Sequence, residues 1–287
     1  MSAAAPTLDH VGYVAPALDA LRDDMLRLGF APTEPRELLA LDAATGASRS
    51  LGQRSCHAVF ERGYIELTAV DAPSPSHHLA TWLARGAGLH ILALGSERIG
   101  AEQARCAAAG LAVTPPAQAT RRIEYGARHG DARFEWFMFA PPETPEGLLC
   151  YAHNLTPALV YQPSVQRHPN GALALTEVVV RCADLAAAAA RWQRLLGTAP
   201  QRAAGSARFE LGAGAVTLCD AAGCLERFGP LAPDPAFGDR FAATVVQVRD
   251  LAHCERLLRQ AGVEPLCRPG QLVVPLQAAG GALLVFH

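Results

Sequence analysis

The chain repeats itself, and this repeat limits its fold more than any other feature does. Leu18, Leu21, Met25 and Leu28 fall at helical spacing, and the stretch stops at Gly29. Residues 97–109 are rich in alanine and stop at Gly110. Leu185, Ala189, Trp192, Leu195 and Leu196 form a stripe that stops at Gly197, and Leu251, Cys254, Leu258 and Ala261 form one that stops at Gly262. A glycine just past the last periodic residue closes a helix through the left-handed backbone region. A β-rich run precedes each helix, at 8–14, 88–94, 175–181 and 241–248. Aligning these runs makes His10, His90, Glu177 and Thr244 equivalent, at nearly equal distances from the four glycines.

Strand and turn patterns follow the helices. The first unit has 37–42, 55–61 and 63–70, and the third has 207–211 and 215–219 around Gly212-Ala213-Gly214. The fourth has 271–275 and 282–286, with Gly280-Gly281 before the last strand. Self-similarity with a fixed order of elements defines the unit as βαβββ. Arg167-His168-Pro169-Asn170-Gly171 carries turn chemistry and sets a boundary. The expected organisation is two domains, 1–166 and 167–287, of two units each. The expected fold class is α+β, with paired modules forming two curled mixed-sheet cups.

Composition narrows the function. Half the residues are apolar, 18% are charged, and the net charge is −2. That gives no electrostatic basis for binding nucleic acid or an anionic membrane. Residues 1–7 lack the basic and apolar regions of a secretory signal, and the apolar run 172–180 is too short to span a bilayer. The eight cysteines lie singly, with Cys219 and Cys224 the nearest to a pair. The expectation is a cytoplasmic protein with buried free thiols.

Paired βαβββ units resemble the vicinal oxygen chelate superfamily, which includes glyoxalase I, extradiol dioxygenases, and bleomycin- and fosfomycin-resistance proteins. Leu8-Asp9-His10-Val11, followed by a helix and Leu28-Gly29-Phe30, looks like its opening. Gly63-Tyr64-Ile65-Glu66-Leu67 looks like its closing strand. Residues 8–180, ending in His168-Pro169-Asn170-Gly171-Ala172, are similar to its glyoxalase-like domain branch.

The resemblance implies a metal held by the first and last strands of the units. His10, His90 and Glu66 would supply a two-histidine, one-carboxylate set with open positions, suited to a divalent ion such as Fe, Mn, Zn or Ni. Glu66 stands between Ile65 and Leu67, where a carboxylate needs a partner or a cation. The superfamily pattern asks for a second Glu in Leu148-Leu149-Cys150-Tyr151-Ala152-His153, and this chain has none. One register offers Cys150 and the other His153, on opposite faces. His153 is favoured as a ligand or an acid/base group, and Tyr64 and Tyr151 are candidates to position a substrate oxygen or donate a proton.

His57 either shares the cup or is exposed. His129 reads as a solvated turn residue, His77-His78 as surface in a Pro/Ser linker, and His287 has no assignment. Units three and four lack the set, so the second half reads as a degenerate copy. Two functions follow: a metal-dependent lyase, isomerase or ring-cleaving dioxygenase acting on a small substrate with vicinal oxygens, or a metal-free binding protein of the resistance type. Association into a homodimer is left open.

Overall fold

A computed structural model of the chain describes residues 5–42, 44–70 and 77–287. The Pro/Ser-rich part of the linker before His77, residues 71–76, lies outside the described residues, as does the start of the chain, 1–4. Unit one is β1 (Thr7–Ala15), α1 (Leu18–Arg27), β2 (Arg36–Leu41), β3 (Ser48–Val59) and β4 (Tyr64–Val70). A one-turn helix, α2 (Ala80–Leu83), leads into unit two: β5 (Gly88–Gly95), α3 (Ile99–Ala108), β6 (Ala117–Ile123), β7 (Gly130–Met138) and β8 (Leu148–Asn154). After α4 (Pro157–Val160), unit three is β9 (Ala172–Arg181), α5 (Leu185–Leu196), β10 (Gln201–Ala203), β11 (Ser206–Glu210) and β12 (Ala215–Cys219). A helix unforeseen in the sequence, α6 (Ala221–Phe228), precedes unit four: β13 (Arg240–Val248), α7 (Leu251–Gln260), β14 (Leu266–Arg268), β15 (Gln271–Val274) and β16 (Leu283–Phe286). The short edge strands β10 and β14 were also not foreseen.

The helix-closing glycines behave as their positions require. Gly29, Gly110, Gly197 and Gly262 have φ of 80°, 74°, 70° and 73°, a region that side-chain-bearing residues disfavour. Units one and two form a closed barrel in the order β1-β4-β3-β2-β6-β7-β8-β5. Units three and four form an open eight-stranded sheet, β10-β11-β12-β9-β13-β16-β15-β14. The fold is therefore α+β, with two mixed sheets of two βαβββ units each.

The two sheets share one core. Leu8, Val11, Leu92 and Leu94 on the outer face of the barrel belong to the same apolar cluster as Val178, Val180, Phe241 and Val246 of the second sheet. Met25, Cys106, Trp192 and Leu258 bring the four long helices into it. The buried Tyr13 hydroxyl crosses the seam and donates to Thr244 Oγ1 at 3.0 Å. The boundary segment is stitched to unit one: Asn170 Nδ2 donates to the Leu28 carbonyl at 3.0 Å, and His168 Nδ1 accepts from Ala31 N–H at 3.1 Å.

Strand register corrects the alignment of the repeat. His10 pairs with Tyr64, the residue after Gly63, in the parallel β1–β4 ladder. In β5–β8 the residue that pairs after Gly147 is Ile91, with Leu148. Ile91, not His90, thus stands where His10 stands. In β13–β16 the same place falls to Ala243, one residue before the expected Thr244. Both barrel units carry a bulge at this place in the first strand. Pairing jumps from Leu8↔Leu94 to His10↔Ala93 and from Gly12↔Ile91 to Tyr13↔Leu89, leaving Asp9 and His90 as the extra residues. The structural counterpart of His90 is therefore Asp9.

Candidate active site

The barrel encloses a cavity of about 720 Å³ including its mouth, lined by residues of both units. The bulge in β1 lets two consecutive residues, Asp9 and His10, reach the cavity. His10 Nδ1 lies 2.6 Å from Asp9 Oδ2, so a proton on Nδ1 is donated to that carboxylate. His10 Nε2 then faces Glu66 Oε2 at 3.7 Å. Glu66 is placed by β4, and its other oxygen accepts from Ser55 Oγ at 2.7 Å and Thr68 Oγ1 at 2.8 Å. Tyr64 shares the Glu66 face and stacks on the His10 ring, with centroids 4.4 Å apart. Burial holds the Tyr64 phenol well above its usual range, and the nearby Asp9 charge adds to the effect.

His57 lies opposite Glu66 across the β3–β4 ladder, with Nε2 4.0 Å from Glu66 Oε1. The Arg121 guanidinium, from β6, donates to that same Nε2. Because a guanidinium only donates, His57 Nε2 is an acceptor and the ring is neutral. Burial, then the Arg121 and His10 charges, push His57 well below the ordinary histidine range. His78 also lines the cavity and meets Trp136 edge-on at 6.0 Å. Burial, reinforced by His77, pushes it down to about 4. The expected surface position for His78 is thus corrected.

Apart from Arg121 and Asn154, the wall from unit two is apolar. Ile91, Leu148 and Cys150 occupy the places of His10, Tyr64 and Glu66, and Phe134, Trp136 and Ala152 continue the wall. Gly12 permits this approach: a Cβ there would come within 2.7 Å of the Ile91 side chain. Burial raises the Cys150 thiol, so it stays protonated.

The sequence candidates therefore divide. His10, Glu66 and Tyr64 come together in the cavity. His90 does not line it: its Nε2 lies 2.8 Å from the Gly86 carbonyl, in the loop before β5. Cys150 takes the inward register. Tyr151 faces away, with its hydroxyl donating to the Leu195 carbonyl at 3.3 Å and its ring stacked on Phe137. His153 shares the Tyr151 parity, stands opposite Glu135 and does not line the cavity. Asp9, Gln53, Arg121 and Trp136 line it and were not singled out from sequence. His57 is resolved as a residue beside Glu66, while His129 sits exposed in its turn.

A resident metal needs more donors than the cup gathers. His10 Nε2 and Glu66 Oε2 make two. The symmetry-related places hold an alkyl side chain and a protonated thiol, and His57 is occupied by a cation. No group of three His, Cys, Asp or Glu residues suited to a metal forms among the described residues. The donor set does not fit the two-histidine, one-carboxylate centre that the sequence implied. Of the eight cysteines, Cys267 is exposed and the others are buried free thiols. No helix among the described residues is long and apolar enough to cross a membrane.

No curated protein matches the chain in sequence. Among solved structures, a hypothetical protein from Staphylococcus aureus superposes with a TM-score of 0.64 at 10% identity, covering 98% of each chain. A triple variant of 4-hydroxymandelate synthase from Streptomyces coelicolor gives 0.60 at 15% identity, over 99% of this chain and 92% of the other. A fusion of a xylose isomerase-like TIM barrel with 4-hydroxyphenylpyruvate dioxygenase gives 0.60 at 12% identity, over 100% of this chain and 50% of the other. At these identities the likeness is one of fold. The sequence model of the glyoxalase-like domain matches residues 8–196, which covers the whole barrel and runs into unit three. The chain belongs to the glyoxalase-like domain family.

Proposed function

We propose that the barrel cup is the active site of an enzyme that moves a proton on a small oxygen-bearing substrate, in an isomerase- or lyase-type reaction. One observation carries this reading: His10 lies between two carboxylates inside the cavity, 2.6 Å from Asp9 and 3.7 Å from Glu66. Asp9 fixes the tautomer and leaves Nε2 toward the cup. Nε2 and Glu66 Oε2 face each other across the cup, 3.7 Å apart, so a proton taken from a substrate beside them has an acceptor on either side. That placement makes His10 the proton carrier. Tyr64, a protonated phenol over the His10 ring, is placed to donate to a substrate oxygen. The apolar wall of unit two excludes water from the developing charge and strengthens each of these interactions.

The test needs no known substrate. Hydroxyketones and 2-oxo acids are incubated with the protein in deuterated water, and isotope uptake beside the carbonyl is followed by NMR. The wild type should accelerate uptake for at least one compound, and His10→Gln and Tyr64→Phe should lose most of that rate. Metal content is measured in parallel on protein purified without chelators. Stoichiometric metal that is lost in His10→Gln and Glu66→Gln would replace this reading with a metal-dependent one. Ligand binding without exchange would leave the cup a sequestering site of the resistance type.

A further inference from the structure

Within the cup, Arg121 is the charge that the fold leaves unmatched. Asp9 and Glu66 both address His10, and Glu66 is further satisfied by Ser55 and Thr68. Arg121 makes no ion pair among the described residues. Its Nη1 donates to His57, its guanidinium lies 5.3 Å over the Phe134 ring, and its Nη2 is buried without an acceptor. The residue is only 5% exposed. Gln53, 3% exposed and lining the same cavity, also has a buried amide oxygen without a partner. Guanidinium groups are not buried unpaired without cost, and unsatisfied N–H groups in a cavity mark where a ligand acceptor belongs.

We propose that the cup's substrate is a small organic acid. Its carboxylate docks on Arg121 Nη2 by a charge-assisted hydrogen bond, and its body lies along Phe134, Trp136, Ile91 and Leu148. The carboxylate neutralises the buried guanidinium, and the apolar wall accepts a flat or branched carbon skeleton. The Glu66 oxygen nearest the Ser55 and Thr68 hydroxyls is already bonded, so the negative charges of ligand and protein are held by different partners. Arg121 is then a specificity determinant for the proposed reaction. This inference rests on the reading of the cup as a small-molecule site.

Matched acids and amides test it: benzoate against benzamide, and phenylacetate against phenylacetamide. Affinity is measured by calorimetry, and the His10 ring signals are followed by NMR. The acids should bind the wild type at least about tenfold tighter than their amides. Arg121→Met should bring that ratio to near unity, while Arg121→Lys should keep part of it. If Arg121→Met does not fold, the wild-type ratio and the lysine variant decide. Amides binding as tightly as acids, or a preference that survives in Arg121→Met, would overturn the proposal. If acids and amides shift His10 equally, the small-molecule site stands and the organic-acid reading fails. If neither shifts His10, both fail. Arg121-dependent acid binding without isotope exchange would sustain this proposal and sink the proton-transfer one.

Discussion

The two sheets place their first strands alike and then treat the concave face in opposite ways. In unit three, Glu177 of β9 pairs with Ala215, the residue after Gly214, so it stands where His10 stands in the barrel. Thr217 takes the place of Glu66, and Arg208, its cross-strand partner, takes that of His57. Here, however, the chain occupies most of its own cup, and a smaller opening remains beside Glu177, Arg208 and His287. Helix α6 lays Cys224 and Phe228 against Val179, Val245 and Val285. Arg227 of that helix grips Glu177 with two bonds of 2.8 and 2.7 Å, and Arg208 adds a contact at 3.0 Å. Burial would raise the Glu177 carboxyl, but the Arg227 bonds and both cations more than offset it and hold it below its usual range. The barrel keeps a cavity, with His10, Glu66 and Arg121 facing it. The comparison separates structural charge from chemical charge: Glu177 is paired by arginines of its own chain, whereas Arg121 is left beside a cavity without a carboxylate partner among the described residues.

Removing the chain's own partner should have the largest effect. Arg227→Met leaves Glu177 buried with only Arg208 and the Thr217 hydroxyl beside it, and should cost about 3 kcal/mol of unfolding free energy. Arg121→Met removes a cation that has no carboxylate partner, and should change stability by less than about 1 kcal/mol. Denaturant unfolding of the two variants side by side measures the contrast. Equal losses would erase the distinction drawn between the cups.

The cups should also lose stability in different pH ranges. His57 and His78 titrate below their ordinary value in the folded barrel. The unfolded chain therefore binds protons first, below about 6.5, and stability falls as pH drops from there toward about 4, where His78 itself protonates. Each such histidine contributes at most about 1.4 kcal/mol per pH unit. Glu177 works in the same sense but in the carboxyl range: its folded value is depressed, so its contribution is present above the unfolded carboxyl range and is lost as pH falls through the folded one. His78→Gln should flatten the upper part of the stability profile and leave the acid limb unchanged. An unchanged slope between 6.5 and 4 in that variant would show that His78 titrates freely.

What could be read from the sequence depended on how many residues carried each signal. The four helices were legible because several apolar residues and a closing glycine agree in each, and Gly29, Gly110, Gly197 and Gly262 all adopt the backbone this requires. The positions of His10, Tyr64 and Glu66 were legible through alternation within β1 and β4. Near-equal spacing to the capping glycine tolerates a one-residue shift, so it aligned His10 with His90 where the bulged strands align it with Ile91. Alternation likewise sends Asp9 away from the cup, and the same kind of bulge brings it in. Arg121 and Gln53 lie outside the runs that the sequence pattern marks as strands, and closure of the barrel through β2 and β6 places them at the cavity. Helix α6 carries an amphipathic pattern in Cys224, Arg227 and Phe228, yet it lies outside the repeated unit that organised the reading.

The bulge equivalence makes the smallest prediction and the most specific one. If His90 corresponds to Asp9 rather than to His10, the two bulge residues should respond differently to truncation. His90→Ala removes one buried ring and its bond to the Gly86 carbonyl, which should cost about 1 kcal/mol and leave the ring-nitrogen shifts of His10 in place. Asp9→Ala should cost little more in stability but should shift both His10 nitrogens, because the carboxylate that fixes the tautomer lies 2.6 Å from Nδ1. A His90→Ala variant that moves the His10 signals as far as Asp9→Ala does would return His90 to the cup. It would then reopen the three-ligand metal centre that the strand register argues against.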